Sequence, residues 1–235
     1  ASELTVLTGN TGEGKTTFCL DMAMRLAESG RSVVFVTLEN DHNQIMSKSF
    51  SMISGVPWSK LRYENDQLRV AGDTLGSWLL SFVSRDNANT FDSVLSGLRA
   101  AKSRGPLDFV FIDHLGYVAR PMKGDRETQF DAIDRTVRTL SDLSRELRCH
   151  IVLIAHQATA GKKEPTMYSI KYGATVPQYA DNAIVVVRMP SLGGGSRRSK
   201  VKIEKTRFEE ASSGKDVHLF FDFDGRRFSE SSPQM

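Results

Sequence analysis

ELTVLTGNTGEGKTTF, Glu3 to Phe18, runs an apolar stretch into a glycine-rich loop and then into an amphipathic segment. Gly9, Gly14, Lys15 and Thr16 fill the spacing GxxxxGKT, and Gly12 adds a third position where the backbone can turn tightly and bring N–H groups to anionic oxygens. Leu4 to Leu7 read as a buried strand. Thr17 to Ala27 read as a helix whose unpaired N-terminal N–H groups and positive dipole end face phosphates. The loop residues Gly9, Asn10, Thr11, Gly12, Glu13, Gly14, Lys15, Thr16 and Thr17 are therefore expected to hold ATP or another NTP. Lys15 is expected to bridge the β- and γ-phosphates, and Thr16 to offer its hydroxyl to Mg²⁺. The competing reading, a chance glycine-rich turn, does not account for strand, loop and helix in the required order.

The 235 residues fit one large α/β domain, a single motor-sized unit over 1–235 with no sign of a second core. Hydrophobic and charged contents are ordinary for a soluble globular protein. No apolar run approaches the length of a membrane span and no signal-peptide pattern opens the chain, so no membrane partner is expected. Cys19 and Cys149 lack metal-ligand spacing, which points to a reducing, intracellular compartment. The net charge of +3 permits a nucleic-acid partner without arguing for one. The chain enters its first strand directly after Ala1-Ser2, which suggests an excised domain.

Outward from the loop, strand and helix alternate. Ser32 to Leu38 reads as a buried parallel strand ending at Glu39, and Asp41 as the cap of a helix to about Ser54. Between Val56 and Leu75 the pattern is mixed, with Pro57 suiting a helix start. Leu79 to Val83 reads as a strand, Thr90 to Arg104 as a helix, Asp108 to Leu115 as a strand, Gln129 to Leu147 as a long helix, and His150 to Ala155 as a strand ending in His156-Gln157. Two polar loops, one through Lys123 to Arg126 and one from Thr159 to about Pro177, are long enough to be functional or disordered. Asn182 to Met189 and Lys200 to Thr206 read as strands about a flexible tip at Gly193 to Arg198. His218 to Asp222 and Arg226 to Phe228 pair antiparallel around Asp224-Gly225. The expected fold is a mostly parallel twisted α/β sheet with helices on both faces and antiparallel strands at the C-terminal edge.

In such sheets ligands sit at the carboxyl ends of the strands. Asp113 follows an apolar run and suits a carboxylate near Mg²⁺; alternatively it caps the next turn. Glu39 suits the base that orients and deprotonates attacking water; alternatively it supports the dipole of the helix after it. His156 suits a γ-phosphate contact, or a structural histidine.

The sequence resembles the RecA-like P-loop replicative helicases, the family of bacterial DnaB, phage primase-helicases and Twinkle, most closely the last two. GNTGEGKTTF, TLEN at Thr37 to Asn40, FIDHLGYV at Phe111 to Val118, LIAHQ at Leu153 to Gln157, YADNAIVV at Tyr179 to Val186 and KIEKTRF at Lys202 to Phe208 match in family order. The resemblance implies that Glu39 is the catalytic glutamate, Asp113 the second acidic motif and His156 the γ-phosphate sensor. It implies that Lys205 and Arg207 reach a neighbouring subunit's γ-phosphate, where a cation supplied in trans stabilises the transferring group. Read from the residues alone, those two lie on a solvated strand face. The resemblance also implies that Lys48 and Phe221 contact the nucleotide base, with Lys48 standing where the family has an arginine that stacks. It implies that Arg120, Lys123, Gly124, Arg126, Lys162, Lys163 and Lys171 hold the backbone of single-stranded DNA, with Tyr168 or Tyr172 stacking a base.

The expected function is that of an ATP-dependent DNA helicase motor, working as a hexameric ring on single-stranded DNA in a bacterium, a phage-infected cell or a mitochondrion. The family's rings form through a helix preceding this domain. Its place before Glu3 is not filled in these residues, so weak, salt-sensitive assembly is expected. Two other readings remain open: a RecA-like recombinase, mediator or switch ATPase that does not unwind, and a nucleotide-gated scaffold without turnover.

Overall fold

The computed structural model describes residues 2–61, 65–85, 90–121, 126–158, 164–171, 173, 175–189, 197–208, 214–222 and 227–230. In chain order the elements are β1 (Leu4–Gly9), α1 (Lys15–Glu28), β2 (Val33–Thr37), α2 (His42–Ser54), α3 (Trp58–Leu61), α4 (Asn65–Ser77), β3 (Leu80–Ser84), α5 (Phe91–Arg104), β4 (Phe109–Asp113) and α6 (Leu115–Val118). They continue with α7 (Gln129–Leu147), β5 (His150–His156), a 3₁₀ turn at Met167–Ser169, α8 (Val176–Tyr179), β6 (Asn182–Arg188), β7 (Arg197–Thr206), β8 (Asp216–Phe221) and β9 (Phe228–Ser229).

The strands form one sheet in the order β3-β2-β4-β5-β1-β6-β7-β8-β9. From β3 to β6 every pairing is parallel, and β7, β8 and β9 add antiparallel. Every residue of β1 and β2 is buried, as a parallel strand covered on both faces requires. Alternate side chains feed two cores: Leu4 and Val6 pack with Leu98, Val137 and Leu140 from α5 and α7, while Leu7 packs with Phe18, Leu20 and Ile45 from α1 and α2. Each fully buried side chain of this kind contributes roughly 2 kcal/mol relative to exposure.

Local signals fix the element ends. The Asp41 carboxylate accepts the Asn43 N–H at 2.8 Å and starts α2, and Thr128 and Asp131 exchange reciprocal bonds at the start of α7. α7 runs over Gln129–Leu147 as its apolar spacing predicts. The mixed stretch after Val56 is helical twice, in α3 and α4. β4 stops at Asp113 rather than continuing to Leu115 as expected. The His114 side chain accepts the Gly116 N–H and turns the chain into α6. Arg197 and Arg198 belong to β7 rather than to a glycine tip; the rest of that tip and the Asp224-Gly225 turn lie outside the described residues. The loop after β5 is tied back by a bridge between Gln157 and Ile170. No described helix is long and apolar enough to cross a membrane.

Candidate functional site

Register brings four strand ends together. Gly9 at the end of β1 stands beside His156 at the end of β5, and Thr37 at the end of β2 beside Asp113 at the end of β4. The loop after β1 therefore opens onto the carboxylates and the histidine that follow its neighbours. A Cβ on Gly9 would fall 2.3 Å from the Val186 carbonyl oxygen of β6, so only glycine lets the loop leave the sheet here. Gly14 caps α1 with φ of 89°, a left-handed conformation that glycine adopts without strain. The first turn of α1 has no acidic residue and no side-chain cap, which leaves its N–H groups and dipole directed at an anion.

The Lys15 ammonium is buried and donates to the carbonyls of Gly9 and Asn10, each at 2.9 Å. Burial lowers its pKa, and Glu13, Asp113 and Glu39 pull the other way. Glu13 braces the loop by accepting the Asn10 backbone N–H at 2.7 Å. The Thr16 hydroxyl donates to Asp113 Oδ2 at 2.8 Å, and Asn40 Nδ2 donates to the same oxygen at 3.3 Å. Asp113 is 1% exposed, and burial pushes its carboxyl up to about 6 against the Thr16 bond. A buried carboxylate met by hydrogen bonds, with a hydroxyl at its side, suits a hard divalent cation such as Mg²⁺.

Glu39 Oε2 lies 3.4 Å from His114 Nε2 and 3.6 Å from His156 Nε2. The two imidazoles meet edge to face with centroids 4.1 Å apart. Burial first, then His156 and Lys15, push His114 down to about 3. His156 is also lowered, by burial and Lys15, while Glu39 opposes. Its Nδ1 is buried and has no hydrogen-bond partner among the described residues. The three ligand atoms lie within 4.8 Å of one another, the makeup of a transition-metal triad. His114 Nδ1, however, is already the acceptor of the Gly116 N–H at 3.0 Å.

Two cavities flank the loop. One, about 650 Å³, is lined by Thr17, Lys48, Trp58 and Phe221 among others. It brings together the two residues expected at a base. The second, about 640 Å³, is lined by Thr11, Glu39, His114, His156, Gln157 and Lys171.

Lys205 and Arg207 are not brought to this loop. Lys205 Nζ donates to the carbonyls of Pro177 and Ala180 at 2.6 Å each, and Arg207 Nη1 pairs with the buried Asp181 Oδ1 at 2.8 Å. Thr206 pairs with Asn182, and Asn182 with Thr5, so both basic residues stand at the other end of the sheet from Gly9. Both are thus tied to the fold, Lys205 half-buried and Arg207 exposed just past the end of β7. Among the loop candidates, the Arg120 guanidinium lies 5.7 Å from the Tyr117 ring centroid. Arg126 and Lys171 are exposed, and Tyr168 is 71% exposed. Lys123, Gly124, Lys162, Lys163 and Tyr172 lie outside the described residues.

Four residues at the site escape the sequence reading. Asn40 touches Asp113, and Gln157 Nε2 donates to Thr8 Oγ1 at 2.9 Å. His114 touches Glu39, and Trp58 lines the first cavity. Position after a strand end was the available signal for Asn40 and Gln157, whereas His114 lay inside the strand as read from the sequence.

The strand order, the loop entering α1 and the acid ending β4 define a RecA-like P-loop NTPase core. The chain belongs to the DnaB-like helicase C terminal domain family, whose profile matches residues 1–230. It is 25% identical over 184 residues to a probable plasmid replicative DNA helicase of Chlamydia psittaci, covering 75% of this chain and 40% of that protein. It is 23% identical over 207 residues to the replicative DNA helicase DnaB of Rickettsia bellii, covering 80% of this chain and 41% of that protein. The chain thus spans about two fifths of these relatives' length. Among solved structures, one described as an ATPase domain superposes with a TM-score of 0.86 at 17% identity, covering 98% of this chain and 85% of that one. A DnaB-like replicative helicase, solved in a study of its interactions with primase, superposes with a TM-score of 0.83 at 17% identity, covering 97% and 57%. These likenesses place the fold.

Proposed function

We propose that residues 1–235 are the motor domain of a replicative DNA helicase, hydrolysing ATP or another NTP at subunit interfaces of a ring and moving along single-stranded DNA. The observation that carries this reading is the convergence of Thr16, Asp113 and Glu39 at neighbouring strand ends beside the α1 N-terminus. A phosphate-and-cation site and a separate carboxylate in one cleft suit phosphoryl transfer to water.

In this reading the α1 N–H groups and Lys15 bind the phosphates, and Thr16 and Asp113 hold Mg²⁺, which when bound supplies neutralising charge at the phosphate oxygens. Glu39 takes the proton of the attacking water, and His156 turns its Nε2 towards the γ-phosphate and carries the result to the loop that begins at Ala158. Lys48 and Phe221 enclose the base. Lys205 and Arg207, directed away from their own loop, act on the next subunit's nucleotide. Arg120, Arg126 and Lys171, with Lys123, Gly124, Lys162 and Lys163, contact the DNA backbone. His156 and the KTRF segment at Lys205 to Phe208 favour a likeness to the phage-type and Twinkle members. Such a motor works inside the cell, where DNA is replicated.

Steady-state ATP turnover across a protein titration, with and without unstructured single-stranded DNA, tests the reading. Turnover per subunit that rises with protein concentration and with DNA is expected. Turnover that is linear in protein and indifferent to DNA would leave a self-contained switch ATPase instead. Glu39→Gln is expected to abolish turnover while retaining nucleotide binding.

A further inference from the structure

We propose that His114 is the positioning residue for Glu39, holding its carboxylate in the cleft through an Nε2–H donor. The proposal rests on the reading of Glu39 as the base. His114 Nδ1 accepts the Gly116 N–H at 3.0 Å. A nitrogen that accepts carries no hydrogen, so the ring's proton sits on Nε2. Nε2 is the atom 3.4 Å from Glu39 Oε2. The proton therefore sits on the nitrogen nearest the carboxylate, and it occupies the place a metal ion would need for coordination through that nitrogen.

The ring is fixed on its other sides. Tyr117 packs edge to face at 5.0 Å and His156 at 4.1 Å. A Cβ on residue 116 would stand 2.9 Å from His114 Cε1, so glycine there lets the ring lie against the backbone N–H. A donor locked by packing and by the hydrogen bond its other nitrogen accepts orients its partner with little loss of freedom left to incur. The two histidines divide the work. His156 also touches Glu39 Oε2, at 3.6 Å, but its assigned role takes its Nε2 towards phosphate. When it turns, His114 is the contact that keeps Glu39 from swinging out of the cleft, and Glu39 is 40% exposed and needs one.

Two variants separate the ring's two nitrogens. His114→Asn keeps an acceptor near the place of Nδ1 and loses the donor to Glu39. His114→Gln keeps an N–H near the place of Nε2 and loses the acceptor for Gly116. Positioning predicts that DNA-stimulated ATP turnover of the asparagine variant falls about 10- to 100-fold, with ATP affinity within about threefold of wild type, and that the glutamine variant recovers to within about fivefold. A role confined to capping α6 gives the opposite order and overturns the proposal, as does wild-type turnover of His114→Asn. Imidazole nitrogen resonances of ¹⁵N-histidine-labelled wild-type protein decide the matter whether or not a variant folds. A bare Nδ1 and a protonated Nε2 on His114 are required, and the other tautomer ends the proposal. Wild-type turnover by Glu39→Gln would instead bring down the reading of Glu39 as the base, and the nitrogen resonances would still report on the His114 donor.

Discussion

The Thr16 hydroxyl donates to Asp113 Oδ2 over 2.8 Å, joining the first turn of α1 to the end of β4 across a gap of nearly a hundred residues. The bond sets both oxygens at one point and leaves a carboxylate that is 1% exposed and titrates at about 6 because it is buried. Its folded pKa lies above the usual carboxylate value. Its contribution to stability is thus fully present below about pH 4 and is lost as pH rises through 6. The shift amounts to about 3 kcal/mol at neutral pH. In Mg²⁺-free buffer, Asp113→Asn is therefore expected to gain in melting temperature over wild type as pH is raised from 4 to 7. A difference that does not change with pH would contradict the buried charge. The same variant is expected to lose ATP turnover by at least about 100-fold and to bind ATP without a response to Mg²⁺.

Gly9 leaves no room for a side chain, since a Cβ there meets the Val186 carbonyl oxygen at 2.3 Å and backbone cannot yield as a flexible side chain would. Gly9→Ala is expected to destabilise the fold by about 2 to 4 kcal/mol and to weaken nucleotide binding together with it. Denaturant unfolding and nucleotide titration of the same preparation check both. Full stability in the variant would mean that β6 moves freely, contrary to its pairing with β1 from Thr5 to Thr8.

The phosphate loop and the order of βα units were legible because each depends on contiguous residues: glycines at fixed spacing, β-branched runs, and a helix with Ile133, Val137 and Leu140 on one face. The stretch after Val56 was not legible. α4 buries Ala71 and Leu75 with Leu68 half-buried, but its stripe is short, includes an alanine and has an apolar Val70 on the exposed side, which masks the period in the sequence. β4 was read two residues too long because Leu115 is apolar, whereas a side-chain acceptor on His114 ends the strand. The partners of Glu39, Asp113 and Arg207 come from distant parts of the chain, and no spacing rule announces that Asp181 will be buried beneath Arg207.

Lys48 and Phe221 line one cavity with Trp58. Lysine offers a base a point charge, whereas arginine offers a planar cation that stacks. Lys48→Arg is expected to tighten ATP binding about 3- to 10-fold, and Phe221→Ala to weaken it about 10-fold. Trp58 supplies the readout, since a base entering this cavity alters the fluorescence of an indole that is 40% exposed. Unchanged affinity in both variants would move the base elsewhere.

Arg207 pairs with the buried Asp181 at 2.8 Å, at the far end of the sheet from Gly9, and Lys205 caps the carbonyls of Pro177 and Ala180. Neither side chain can serve its own phosphate loop from there. If both act on a neighbour, a site needs Lys15 from one subunit and Arg207 from the next. Lys15→Ala and Arg207→Ala are each expected to be inactive alone. Mixed in equal amounts, they form interfaces that pair an intact loop with an intact arginine in about a quarter of positions, as random assembly of a symmetric ring requires. ATP turnover of the mixture should therefore recover to as much as about a quarter of wild type, at protein concentrations where wild-type turnover per subunit is saturated. Normal turnover by Arg207→Ala alone would instead confine Arg207 to holding Asp181. In that case the variant's cost would appear as a loss of stability, since it leaves a buried carboxylate without its nearest cation.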